Sequence, residues 1–165
     1  ERRSECEKSL ALLKKGGVGI KSLCELTPDQ WEEHKGLVSD EVLQKRVRHC
    51  VYENQRVKDA VAALKEGNLE RLGALLNESH ASLCKDYEVT GLELDTLAHS
   101  SQKQKGCLGA RMTGAGFGGC AIALVHKDFI EDFVENVQKE YSATVGYNAG
   151  FFACESGDGV QKLTC

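Results

Sequence analysis

An α+β fold, with a sheet of about three strands covered by several α-helices, follows from three features of the sequence. Apolar residues recur at spacings of three and four through the first two thirds of the 165 residues, then alternate in steps of two from Leu108. Six of the seventeen glycines (Gly106, Gly109, Gly114, Gly116, Gly118 and Gly119) crowd into positions 106–119. The one proline, Pro28, stands where a helix begins.

The elements follow in order. Cys6, Leu10 and Leu13 mark a first helix that is already under way at Glu1, as if the chain were cut from a longer polypeptide. Thr27-Pro28-Asp29-Gln30 is a capping box opening a short helix through Trp31 to His34. Ser39-Asp40-Glu41 starts the longest helix, with acids at the positive end of its dipole. Its apolar stripe runs Leu43, Val47, Cys50, Val57, Val61 and Leu64, and Asn54 fills the gap. Gly67 ends it. Asn68 caps the next helix, with Leu69, Leu72, Leu76 and Leu83 on one face. Thr90-Gly91-Leu92-Glu93 reads as a second capping box, opening a helix through Leu94 and Leu97 to about Lys103. Leu108, Ala110 and Met112 then alternate as a strand, and Cys120–Val125 reads as a buried one. A helix from Asp128 turns Phe129, Ile130, Phe133, Val134, Val137 and Tyr141 inward, Tyr147 to Cys154 reads as a last strand, and the residues from Glu155 on are tail-like.

Composition sets the outer limits. With 41% hydrophobic and 28% charged residues, the chain is long enough for a core of its own. No apolar run approaches the ~18–20 residues of a membrane span. The net charge is −4 and there is no Lys/Arg block, which argues against nucleic-acid binding. Eight cysteines lie at least eleven residues apart, without a Cys-x-x-Cys, and the five histidines do not join them. That spacing suits neither a zinc site nor a disulfide framework. The expectation is reduced, space-filling thiols, no metal, and a cytoplasmic protein without a leader.

One segment carries chemistry: Thr113-Gly114-Ala115-Gly116-Phe117-Gly118-Gly119. Gly114, Gly116 and Gly119 satisfy G-x-G-x-x-G, but a strand follows them where the dinucleotide fingerprint needs a helix N-terminus. A Walker loop would need Gly-Lys-Ser/Thr, which is missing. What remains is a glycine-rich link between strands, able to take φ > 0 at several positions and present bare N–H groups to an anion, with Arg111 as a candidate charge at its mouth. A wide hairpin turn with a surface arginine is the plain alternative. Four glycines in six residues are more than a hairpin requires.

Leu108–Cys120 resembles the third, C-terminal motif of the GHMP small-molecule kinases in its galactokinase branch. Arg2-Arg3-Ser4-Glu5-Cys6-Glu7, Arg48-His49-Cys50-Val51-Tyr52-Glu53-Asn54-Gln55-Arg56, and Ser79-His80 through Asp86-Tyr87-Glu88-Val89 to Glu93-Leu94-Asp95 resemble further signatures of its bacterial, Firmicute-like members, in the same order. The resemblance implies a ferredoxin-like sheet, with one family strand left out, and transfer of the ATP γ-phosphoryl, with Mg²⁺, to the anomeric hydroxyl of galactose. It also implies that residues 1–165 form only the C-terminal domain. The sugar-binding motif, the Pro-x-Gly-x-Gly-Leu-Ser-Ser triphosphate loop and the catalytic base belong to an amino-terminal half, so no catalytic residue is expected here and none of the cofactors should bind tightly. On the same basis Arg111, Thr113, Gly114, Gly116, Gly118 and Gly119 are assigned to the nucleotide side of the site. The partners it implies are galactose, ATP and the amino-terminal domain, and an uncovered apolar face predicts self-association of the piece alone. Two departures, Cys84-Lys85 for the family's Arg-Asp and Thr90-Gly91-Leu92 for its Ser-Cys-Pro, bear on local contacts.

Other residues favour structural roles. His80 with Ser79 and Asp86 lacks the spacing of a hydrolytic triad. His49 and Glu53, four apart, suit a hydrogen bond better than a metal. Asn54 suits a satisfied amide on a loop backbone. Glu93 suits the box partner, Asp95 a helix surface or interdomain position, and Trp31 the core edge. Two other function classes stay open: a non-catalytic anion-binding or regulatory module, and a GHMP kinase for another small alcohol.

Overall fold

In the computed structural model, residues 1–155 and 157 are described. Six α-helices and two strands make up the regular part: α1 (Arg2–Lys15), α2 (Pro28–His34), α3 (Glu41–Glu66), α4 (Leu69–Ser82), α5 (Leu92–Gln102), β1 (Cys107–Thr113), β2 (Cys120–Val125) and α6 (Ile130–Val145). No helix among the described residues is long and apolar enough to cross a membrane. Thr27 forms its full capping box with Gln30, and Asp40 caps α3 by accepting from Val42 and Leu43 N–H. Gly67 ends α3 at φ 68°, a left-handed turn that costs glycine little, and the Asn68 side chain caps α4.

The helices α1, α2 and α3 enclose an apolar core of Leu13, Leu23, Leu26, Trp31, Val38, Val47 and Val51. Trp31 is buried inside it, not at its edge. The stripe of α3 turns outward halfway along. Val57, Val61 and Leu64 were expected to face inward, yet they stand 57%, 46% and 57% exposed, because this half of the helix buries a different face, with Ala63 inside.

Strands β1 and β2 pair antiparallel, with Ala110 opposite Ala123 and Thr113 opposite Cys120. The sheet has two strands among the described residues, not about three. Tyr147–Cys154 is irregular: it makes no ladder with a neighbouring strand, and Phe152 points almost wholly into solvent. An apolar run becomes a strand only when an adjacent edge takes its N–H and C=O groups, and no strand edge does so here. β2 is also less covered than expected, with Ile122 half exposed. The tail beyond Glu155 falls, except Gly157, outside the described residues.

β1 owes its position to α4 and α5. Ala110 N–H donates to Asn77 Oδ1 (2.9 Å) and Met112 N–H to His80 Nδ1 (3.2 Å), so side chains of α4 take the ladder donors that β2 does not. Gln102 of α5 donates to Ala110 O (2.8 Å). Backbones also meet directly: a Cβ on Gly73 would overlap the Leu108 carbonyl, and one on Gly109 would overlap that of Gly73. The buried residues of α4 are Gly73, Leu75, Ser79, His80 and Ser82. Of the leucines expected there, Leu69 is exposed and Leu72 and Leu76 are only half-buried.

Candidate functional site

The connection from β1 to β2 is Gly114–Gly119, and its backbone is left-handed almost throughout. Gly114, Gly116, Gly118 and Gly119 have φ of 85°, 84°, 107° and 110°, and Phe117 shares that region at φ 60°. Only glycine enters this region freely, so the four glycines are what this path needs. Among the described residues, Phe117 alone of the six sends its N–H to a protein acceptor, Val89 O, at 2.7 Å. The other five N–H groups are left for solvent or a bound anion, and a Cβ at Gly114, Gly118 or Gly119 would meet open space. Gly116 differs. A Cβ there would overlap the Val89 carbonyl.

The loop therefore rests on the segment 86–91, which has strain of its own. After α4 the chain makes a π-helical turn over Leu83–Tyr87, and Glu88 turns left-handed at φ 55°. Buried Arg46 holds it: Nη1 donates to Asp86 O, Nη2 to Glu88 Oε2 (2.8 Å) and Nε to Glu5 Oε2 (2.6 Å). Hydrogen bonds from Arg46 keep both glutamates below the ordinary carboxylate range. Arg2 donates to the carbonyls of Tyr87 and Glu88, and Arg48 pairs with Asp86. Beneath Phe117, itself largely exposed, this segment lines an open cleft of about 270 Å³ with Cys84 and Asp95.

Arg111 is occupied elsewhere. Its Nη1 donates to Glu53 Oε1 at 3.0 Å and its Nε to Met112 O, bracing β1 against α3. Glu53 also accepts from Ser79 (2.6 Å) and Arg56 (2.8 Å). Burial raises its pKa, but these hydrogen bonds and the charges of Arg56 and Arg111 outweigh that and leave it lowered. Thr113 stands exposed where the loop begins.

The remaining candidates hold structure. His49 stacks on Tyr87, with ring centroids 4.4 Å apart, and its Nδ1 lies 3.0 Å from Ser82 Oγ. Asn54 donates to Cys24 O (2.9 Å), the loop-backbone bond expected of it. His80 is fully buried. Its Nδ1 accepts from Met112, so the ring proton sits on Nε2, which lies 3.2 Å from Asp95 Oδ1 without good hydrogen-bond alignment. The second capping box does not form: Gly91, at φ 94°, is itself the N-cap of α5, and neither Thr90 nor Glu93 makes the paired bonds. Among the described residues, no group of three or more His, Cys, Asp and Glu could hold a metal ion.

Sequence reasoning missed the Val89 carbonyl, the left-handed Glu88 and the Arg46 cradle. Glutamate carries no preference for that conformation, and an arginine on a helix reads as solvated, so neither gave a local signal.

Residues 60–143 match the family described as GHMP kinases C terminal. Galactokinase from Lacticaseibacillus casei is 53% identical over 163 residues, spanning 99% of this chain and 42% of that protein. Galactokinase from Ligilactobacillus salivarius (strain UCC118) is 55% identical over 163 residues, with the same two shares. The crystal structure of Lactococcus lactis galactokinase complexed with galactose superposes with a TM-score of 0.89 at 53% identity, covering 92% of this chain and 39% of that one. The chain thus spans about 42% of the length of the curated relatives it matches. With the motifs of residues 2–7, 48–56, 79–95 and 108–120 in family order and half of its length inside the family match, the chain belongs to the GHMP kinases C terminal family.

Proposed function

We propose that the chain is the C-terminal domain of a galactokinase, one unit over residues 1–165, whose whole protein transfers the γ-phosphoryl of ATP to the C1 hydroxyl of galactose in the cytoplasm. The observation that carries this reading is identity of 53–55% across 99% of the chain to proteins named galactokinase. The loop geometry supports it. Five backbone N–H groups without a protein acceptor, on a path only glycine adopts freely, suit the oxygens of a phosphate chain.

In this reading ATP supplies the phosphoryl group and Mg²⁺ offsets its charge. The chain's own part is to close the site from one side. Gly114, Gly116, Gly118 and Gly119 present N–H groups toward the phosphates, Thr113 flanks them, and Arg111 braces the strand from which they spring. Phosphoryl transfer depends on charges positioned around the γ-phosphate. The base and triphosphate loop lie, by the same likeness, in an amino-terminal domain, so residues 1–165 alone produce no galactose 1-phosphate. Val57, Val61, Leu64 and Ile122, exposed here, provide an apolar surface through which the isolated chain self-associates.

The test is the full-length gene product with ATP, Mg²⁺ and a series of acceptors. Galactose 1-phosphate forms from galactose, while mevalonate and homoserine give no product; phosphorylation of either alcohol in preference to galactose overturns the reading. Gly116→Val in that protein adds backbone strain of about 1–3 kcal/mol. It also drives the new Cβ into the Val89 carbonyl. The KM for ATP rises or kcat falls, and unchanged kinetics removes the loop from the site.

A further inference from the structure

We infer that Cys6 and Cys50 are a reversible dithiol–disulfide site, a modification centre on the seam between α1 and α3. Their Sγ atoms lie 3.8 Å apart although 44 positions separate the residues. Both side chains are half-buried, within reach of small reagents rather than sealed in the core. Cys50 lines an open cleft of about 300 Å³ that also includes Cys24, His49 and Glu53. Among the described residues no other pair of thiols is in contact. A disulfide needs its sulfurs about 2.05 Å apart, so closure draws them together by rotation about the side-chain bonds and a small shift of α1. That helix packs chiefly on α3, the helix that carries Cys50.

The electrostatics set which sulfur reacts first. The hydrogen bond with Cys50, helped by one from Tyr87, lowers Cys6 to about 7, while the bond to Cys6 and burial push Cys50 up. Cys50 thus keeps its proton and Cys6 supplies the thiolate, the nucleophilic form. The co-reactant is a low-molecular-weight disulfide, RS–SR. Cys6 thiolate attacks one of its sulfurs, the S–S bond breaks, and RS⁻ leaves. With the Cys6 charge gone, Cys50 gives up its proton and attacks the Cys6 sulfur, expelling the second RS⁻. Both cysteines are oxidised and RS–SR is reduced to two RSH once the thiolates take up the released protons.

This seam is the one that supports the glycine loop. Glu5, beside Cys6, pairs with Arg46, and Arg2 holds the carbonyls of Tyr87 and Glu88. The inference stands on the thiols alone, and its test needs no catalysis.

The full-length protein is treated with oxidised glutathione and mapped by non-reducing peptide mass spectrometry. The expected product is a Cys6–Cys50 cross-linked peptide, two hydrogen masses lighter than the reduced pair and restored by dithiothreitol. Cys50→Ser accumulates glutathione on Cys6, and Cys24→Ser still forms the cross-link. Stable glutathionylation of Cys6 in the unsubstituted protein, a Cys24–Cys50 cross-link instead, or unmodified Cys6 and Cys50 while exposed Cys24 and Cys120 react, overturns the assignment. The mapping uses the unsubstituted protein, so a variant that fails to fold leaves the result decidable.

Discussion

Two regions of this chain are held together by different physics. Around α1, α2 and α3, buried aliphatic side chains and one tryptophan meet across helices, and each buried aliphatic contributes about 1.5–3 kcal/mol by leaving water. Between α4 and β1, contact is made by two glycines whose backbones touch, and by Asn77 and His80 standing in for a neighbouring strand. The first interface tolerates repacking, because side chains can move. The second has no side chain to give way. A core of side chains and a core of backbones therefore fail differently.

Gly73→Val puts that difference to its hardest test. The new side chain would enter the Leu108 carbonyl, with backbone on both sides of the overlap, so the expected loss is about 4 kcal/mol or more, in the range reserved for gross misfits. Leu13→Ala, fully buried in the helical core, is expected to cost about 3 kcal/mol by leaving a cavity. Urea unfolding of both reads the ranking from the midpoints. If Gly73→Val is the milder of the two, the close approach of α4 to β1 is not a constraint.

The next effect is pH dependence. Burial lowers His49 to about 4, and it also lowers His80. Around His49, the carboxylates of Glu53 and Asp86 oppose the shift while Arg56 and Arg111 reinforce it. With the folded pKa below the unfolded value of 6.5, the unfolded chain takes the proton first. Stability is therefore complete above pH 6.5, falls as the pH drops below it, and stops falling near 4, for a total of about 3 kcal/mol from His49. The upper part of that window lies above the carboxylate pKa values. Thermal melts there should decline in the unsubstituted chain and decline less steeply in His49→Gln, where His80 alone still takes up a proton on unfolding. An equal decline in both would place the titration elsewhere.

His80 stands inside the second region, between α4 and β1, and its substitution separates packing from hydrogen bonding. His80→Leu keeps an apolar side chain of similar size but leaves Met112 N–H without an acceptor, a loss of about 2 kcal/mol. His80→Gln offers an amide oxygen instead and should recover part of it. Hydrogen exchange at the Met112 amide is the local readout, fast in the leucine variant and slowed again in the glutamine one. Identical protection in both variants would show that the imidazole only fills space.

The same division explains what the sequence disclosed. Periodicity located α1, α3 and the change to β1, because those elements bury side chains at regular spacings. The family followed from motif order along the whole chain. Periodicity misjudged α4, whose buried face of Gly73, Ser79 and His80 carries little apolar signal, and it continued the α3 stripe through Val57, Val61 and Leu64 where the helix buries Ala63 instead. It also turned Tyr147–Cys154 into a strand, since an alternating run does not reveal whether an edge is waiting for it. In the loop, the glycine count exposed the left-handed backbone. The Val89 carbonyl on which Gly116 and Phe117 rest depends on the non-local cradle of Arg46, which no window of sequence contains.

The smallest effect tests this lesson on two segments of like sequence. Thr27-Pro28-Asp29-Gln30 and Thr90-Gly91-Leu92-Glu93 both offer a hydroxyl and a side chain able to accept a backbone N–H three residues later. Only the first closes. Thr27 takes Gln30 N–H and Gln30 returns the bond, whereas Gly91 swings to φ 94° and takes the cap position itself. Thr27→Ala should cost about 1 kcal/mol and speed exchange at the Gln30 amide. Thr90→Ala removes a buried methyl and hydroxyl but no cap, so exchange at the Glu93 amide should stay as it was. Faster exchange at Glu93 would mean that α5 does use the threonine, and that local pattern outweighs the glycine beside it.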